Sequence, residues 1–424
     1  MEIGVVVLLG VVLLAVVGTV RVRRRRRRAA PPAGIGEEGV PTFNVVAIGP
    51  RGSGKTLLLA SMYHQLQTVS GRGWFLTAPY DQVVLLNQWF TEVADPERDW
   101  PSGTAVGQTR DFLFTMRTRG ASGALHSVLR LGYLEYAGGL LTDAQTPGST
   151  GQAELLTRIE AAHALVGIID GYRVRQAIDG HAEGLMRVQQ SLTAMISLMM
   201  LVPCPVTFVV TKWDLLHDLD VDEDGRLRRV RKFLMSNQGF HDLVETHSAR
   251  RVVRLIPVSA VGSDFAALDE RGRVAKLPDG HLRPSNVDVP LAAVVPDVFE
   301  HVERGLDRAA LQAALDRVGR RYRPGPAAAV AELGLFVART AGKALGTLAP
   351  HAAFLGDAAV ELLGGRPDGD GASERRARLD RELTEAERTF EEFQFARRRV
   401  LRELRSRVDV LEGRLPSSRL SGED

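Results

Sequence analysis

The chain of 424 residues contains a single cysteine, Cys204, so no intrachain disulfide can form. A lone thiol in a chain of this length suits a reducing compartment. Lysine is nearly as scarce, with Lys55, Lys212, Lys232, Lys276 and Lys343 the only five. The ten histidines are scattered, with no H-x-x-x-H spacing and no cysteine pair to join them. That argues against a structural zinc site. A basic folded face is missing too. The net charge of +3 depends on residues 21–28, RVRRRRRR, and without residues 1–28 the chain carries −3. A nucleic-acid partner is therefore not expected, because binding one needs positive charge spread over a folded surface. With 45% hydrophobic and 25% charged residues, the chain is not wholly disordered or collagenous.

Residues 3–20, IGVVVLLGVVLLAVVGTV, carry no charge. As a helix these eighteen residues span about 27 Å, close to the ~30 Å hydrocarbon thickness of a bilayer. The Arg block follows the apolar run and Glu2 precedes it, the reverse of a cleaved signal peptide. The expectation is a retained anchor, with the positive-inside bias placing everything after residue 28 in the cytosol. The Arg block is also suited to anionic headgroups.

Residues 29–42 are rich in Pro and Gly and read as a linker. From residue 43, short apolar runs alternate with amphipathic stretches. Strands are expected at 43–49, 111–116, 126–136, 164–170, 205–211 and 252–258. Helices are expected at 55–69, 81–94, 152–162, 182–200, 225–246 and 291–317. This alternation predicts an α/β fold with a doubly wound, mostly parallel sheet in three layers. Asp111–Arg117 and the 126–136 run read as an antiparallel pair. The folded domain is expected over 43–320, followed by an Ala/Leu-rich helical region at 321–364 and a linker at 365–378. Residues 379–415 carry a broken heptad seam, Leu379, Leu383, Ala386, Phe390 and Phe393, then Val400, Leu404, Val408, Leu411 and Leu415. They read as a coiled-coil-like helix for a partner or a second copy, and 416–424 as a disordered tail.

The chemistry is concentrated in residues 49–56, GPRGSGKT. They match G-x-x-x-x-G-K-[ST] between an apolar strand and a helix, the context that a phosphate-binding loop requires. Gly49, Gly52 and Gly54 allow the tight turn, in which Pro50, Arg51 and Ser53 also lie. Backbone N–H groups of such a loop, running into Leu57, point at phosphate oxygens. Lys55 supplies a point charge for the β- and γ-phosphates, and the Thr56 hydroxyl suits Mg²⁺. Downstream, the strand at 205–211 ends in Thr211–Lys212–Trp213–Asp214, and the strand at 252–258 in Pro257–Val258–Ser259–Ala260. A carboxylate such as that of Asp214 can accept from guanine N1–H and its exocyclic amine, a donor pair that adenine lacks. The Lys212 stem can lie over the purine ring.

Together with Glu135–Gly139, EYAGG, these boxes resemble the P-loop GTPases of the Ras-like, translation-factor-related class, over roughly residues 43–320. The membrane-linked arrangement is similar to that of bacterial double-GTPase-type and signal-recognition-particle-receptor-β-type proteins. The resemblance implies GTP/GDP and Mg²⁺ as ligands, with Thr56, Glu135 and a switch I threonine on the metal side. It implies that Ser259 and the Ala260 N–H contact guanine O6. Thr109 fits the switch I position first and Thr104 second. Switch II falls at 137–152, where Gly138 closes the DxxG-type box. Two departures stand out. Glu135 replaces the family's aspartate, and Gly139 stands where the family has a water-orienting Gln. Slow hydrolysis is therefore expected. Arg51 and Arg110 are candidates for stabilising transition-state charge in cis.

The resulting expectation is a GTP-dependent switch on the bacterial inner membrane, its protein partner engaging the switch regions and the C-terminal helix. A non-hydrolysing GTP-bound scaffold and an ATP-dependent membrane assembly factor remain open beside it. Trp213 is expected to serve packing, and Cys204 to be a small buried residue rather than a nucleophile.

Overall fold

The structure is a computed structural model, and it describes residues 42–103, 109–120, 123–136, 150–249, 251–270, 272–305 and 395–421. The anchor with its Arg block, Thr104, Gly138, Gly139 and the regions expected at 321–364 and 365–378 lie outside these residues. Among the described residues no helix is long and apolar enough to cross a membrane.

The elements in chain order are β1 (Thr42–Ile48), α1 (Lys55–Leu66), β2 (Trp74–Thr77), α2 (Tyr80–Ala94), β3 (Thr109–Arg119), β4 (Leu125–Tyr136), α3 (Thr150–Glu160) and β5 (Ala164–Asp170). They continue with α4 (Gly171–Ile178), α5 (Ala182–Met199), β6 (Val206–Thr211), α6 (Glu223–Met235), α7 (Gln238–Ser248), β7 (Arg254–Pro257), β8 (Ala266–Leu268), β9 (Val274–Lys276), α8 (Val289–Gly305) and α9 (395–414).

β1 to β7 form one sheet in the order β2-β3-β4-β1-β5-β6-β7. The pairs among β4, β1, β5, β6 and β7 are parallel, whereas β2–β3 and β3–β4 are antiparallel. Burial follows this division. β5 and β6 are buried at every residue, as parallel strands covered on both faces must be. β3 alternates, sending Phe112, Phe114, Met116 and Thr118 inward. On one face, Leu58, Leu59 and Met62 of α1 and Leu291 and Val294 of α8 meet Val45, Phe114 and Val166 around a void of about 40 Å³. On the other face Gly167 opens a place for Phe208 and Met199, and Phe208 packs on Phe240 of α7 at 4.7 Å between ring centroids. The α/β class with a mostly parallel sheet thus stands as expected, including the antiparallel pair.

Several boundaries differ from the sequence reading. The helix expected over 225–246 is two helices, because the Asn237 side chain accepts from Phe240 N at 3.0 Å and starts α7 afresh. α4 was not expected. It follows β5 with no loop, since the Asp170 carboxylate ends the strand and caps the helix, accepting from Tyr172 N at 3.0 Å and Arg173 N at 3.3 Å. β2 and the β8–β9 hairpin also escaped notice, four and three residues being too short for a period to show.

The C-terminal segment departs furthest. Val400, Leu404, Val408, Leu411 and Leu415, the second half of the heptad seam, are buried in the chain's own core. Arg407 of α9 donates twice to Asp288, at 2.8 and 3.1 Å, and Arg254 donates to Glu412 at 2.8 Å. Residues 416–421 are not a loose tail. Leu420 is buried and its N–H donates to Val253 O at 2.9 Å, and Arg419 bridges to Arg254, so the segment lies along the outer edge of β7. Beneath it, burial pushes the Asp297 carboxyl up to about 6 although Arg254 pairs with it at 3.0 Å. Leu404→Ala is expected to cost about 2–5 kcal/mol in urea unfolding of the whole domain. A cost within ±0.5 kcal/mol, typical of an exposed position, would contradict this packing.

Candidate nucleotide site

β1 is the strand at which the sheet order turns, with β4 on one side and β5 on the other. Loops leaving the carboxyl ends of strands around such a point form a crevice. Five chain segments arrive there: 49–54 after β1, Glu135 near the end of β4, Asp170 at the end of β5, 211–214 at the end of β6, and 259–260 after β7. All of them except Asp170 contribute residues that border a cavity of about 260 Å³.

The loop 49–54 turns through Gly52 at φ 78° and Gly54 at φ 83°, left-handed values that disfavour side chains. Gly49 is required for a different reason: a Cβ there would sit 2.7 Å from Ile168 O. Ser53 holds the turn by donating to Pro50 O at 2.8 Å. Thr211 clamps it from β6, its hydroxyl 2.6 Å from Ser53 O and 3.1 Å from Ile169 O. Arg51, Gly52, Gly54, Lys55, Thr56 and Leu57 all border the cavity.

Lys55 is buried, and its ammonium donates to Gly49 O and Pro50 O, both at 2.8 Å. Burial pulls its pKa down to about 8, against the opposing pull of Glu135 and Asp170. Thr56 donates its hydroxyl to Glu135 Oε1. The other carboxylate oxygen, Oε2, is buried and has no hydrogen-bond partner. A hydroxyl and a carboxylate oxygen side by side, with one oxygen uncommitted, form a hard-donor set that suits Mg²⁺. Thr109 opens β3 opposite Tyr136 and does not border the cavity.

The second half of the site lies on β6 and β7. Lys212 adopts a left-handed backbone at φ 53°, a strained conformation that turns the chain sharply after β6. Its ammonium pairs with Asp170 Oδ2 at 2.7 Å. Asp214 is buried and borders the cavity. Ser259 Oγ donates to Asp214 Oδ1 at 2.5 Å while accepting from Gly262 N at 2.7 Å. Burial raises the Asp214 pKa, and the Ser259 hydrogen bond opposes that shift. Ser259 does not border the cavity; it stands behind Asp214 and orients it. The Ser259 backbone is fixed by a two-way bridge to Ser285, at 3.1 and 2.8 Å. Ala260 does border the cavity, and its carbonyl accepts from Ser61 of α1 at 2.8 Å.

Three contributors were not anticipated. Asp170 carries both the helix cap and the Lys212 partner, and an acidic residue ending an apolar strand is the only hint of it in the sequence. Trp100 and Val274 form part of the cavity wall. Trp100 Nε1 donates to Val274 O at 3.0 Å, and Lys276 lies 4.9 Å from the Trp100 ring while donating to Asp95 O and Arg98 O at 2.8 Å each. No local pattern signals this long-range fastening. Trp213 and Cys204 are buried, as expected, and burial pushes the Cys204 thiol up to about 11.

Searches against protein-family models and against curated proteins gave no match to this chain.

Proposed function

We propose that this protein binds GTP and GDP with Mg²⁺ and acts as a nucleotide-dependent switch held at a membrane, hydrolysing GTP slowly. The observation that carries the reading is one cavity bordered by both Lys55 of the glycine loop and Asp214 backed by Ser259. In sheet order β6 lies two strands from β1, about 10 Å at ordinary strand spacing, which is the scale of a nucleotide from diphosphate to base. The loop amides and Lys55 would hold the phosphates, and Asp214 would accept from the guanine edge. Thr56 and Glu135 would hold Mg²⁺, which supplies charge neutralisation between the β- and γ-oxygens when bound. Membrane attachment rests on the apolar run 3–20 and its Arg flank.

Gly139 supports a second reading, in which GTP is bound and retained without turnover. Calorimetric titration of the full chain with GDP, GTP and ATP, each with Mg²⁺, tests the first point. Guanine nucleotides are expected to bind at least about a hundredfold tighter than ATP. Preference for ATP, or no heat with any of the three, would overturn the proposal. Single-turnover phosphate release then separates a slow switch from a static scaffold.

A further inference from the structure

Arg110 and Glu135 are direct cross-strand partners in the β3–β4 ladder, so their side chains leave the same face of the sheet. Arg110 Nη1 lies 3.9 Å from Glu135 Oε2. That separation is within ion-pair range but too long for a hydrogen bond. Both atoms are buried, and neither has a hydrogen-bond partner. Trp89 of α2 holds the guanidinium in place, its ring centroid 4.8 Å from Arg110 Cζ. The second cation acting on Glu135 is Lys55, whose ammonium is already bound to two carbonyls. A buried carboxylate is costly without compensation. Arg110 supplies charge to Glu135 and leaves Oε2 free for another ligand.

We infer that Arg110 is a built-in counter-cation for Glu135 that sets how strongly nucleotide binding depends on a divalent metal. This deepens the proposed guanine-nucleotide reading and rests on it. With Arg110 present, the acidic side of the pocket is partly neutralised before any metal arrives. Incoming phosphates then meet less repulsion in metal-free solution. An entering cation has no hydrogen bond to break at Oε2. Arg110 acts through Glu135, so it is a positioning residue rather than a catalytic one.

The test uses the full chain as wild type, Arg110→Gln, Arg110→Lys, Glu135→Gln and the Arg110→Gln/Glu135→Gln double variant. GDP affinity is measured in excess Mg²⁺ and in EDTA, and thermal melting is followed in the same two buffers without nucleotide. The ratio of the two GDP affinities is expected to rise about tenfold in Arg110→Gln. It is expected to stay near the wild-type value in Arg110→Lys. The double variant should match Glu135→Gln, since with the carboxylate gone the arginine has nothing to neutralise. Without nucleotide, Mg²⁺ should raise the melting temperature of Arg110→Gln more than that of wild type. An unchanged affinity ratio in Arg110→Gln, or a double variant that keeps the full Arg110→Gln effect, overturns the inference. If wild type binds no GDP in either buffer, the nucleotide reading fails and the melts decide. A larger Mg²⁺ shift in Arg110→Gln then upholds the Arg110 role, and equal shifts reject it.

Discussion

Lys55→Met is expected to weaken GDP and GTP binding by about three orders of magnitude, ~4 kcal/mol, while the chain stays folded. The ammonium is the cation seated in the glycine loop, and Met keeps the length of the stem without the charge. The empty pocket should tolerate the change well. In the folded chain the Lys55 pKa lies near 8, below its ordinary 10.5, because burial disfavours the charged form. Charged Lys55 therefore costs the empty fold stability. That cost is full below pH 8 and disappears as pH rises from about 8 toward 10.5, since the unfolded chain binds more protons across that window. At pH 7 the variant should melt no lower than wild type in the absence of nucleotide. The same shift predicts that wild-type GDP affinity falls as pH rises above about 8, where the empty pocket loses the proton that the phosphates need. A variant that keeps wild-type affinity, with both proteins melting cooperatively, would remove Lys55 from the site.

Asp214→Asn is expected to lower GDP affinity by at least roughly two orders of magnitude and to raise affinity for xanthosine diphosphate. Ser259 already donates to Asp214 Oδ1, which fixes the carboxylate plane, and an amide can keep that bond through its own oxygen. The amide nitrogen then stands where Oδ2 stood. Facing guanine it sets donor against donor, and facing the second oxygen of xanthine it finds an acceptor. Competition titration with the two diphosphates reads the exchange directly. Unchanged guanine preference would mean that Asp214 does not read the base. Because neither expected change needs the backbone to move, loss of all binding together with a lower melting temperature would point to collapse of the Asp214–Ser259 hydrogen bond.

Much of this site was legible from local pattern. GPRGSGKT, TKWD and PVSA each lie within a few residues, and each follows a strand whose apolar run is easy to see. β5 and β6 are buried at every position and β1 from Val45 onward, so their sequences are dominated by apolar runs, and their boundaries were found to within two residues. Glu135 was placed because EYAGG ends such a run. The β8–β9 hairpin was not visible because its strands are three residues each, and the Lys276–Trp100 fastening because its partners lie more than 170 residues apart and no period joins them. The heptad seam of 400–415 was visible, but its partner was not. An apolar stripe of that spacing fits another helix or the flank of an α/β domain equally well.

By itself the amino-acid sequence determined where most strands and the glycine turn lie and which short segments, at 49–56, 211–214 and 259–260, follow them, because short-range periodicity and backbone sterics act within a few residues. Only the tertiary structure decided that Ser259 stands behind Asp214, that Arg110 faces Glu135 on the neighbouring strand, and that the 400–415 half of the seam is spent on the chain's own core. Those outcomes depend on which buried groups meet once the sheet is assembled, and the cost of leaving a charge or an apolar stripe unpaired is settled between segments far apart along the chain.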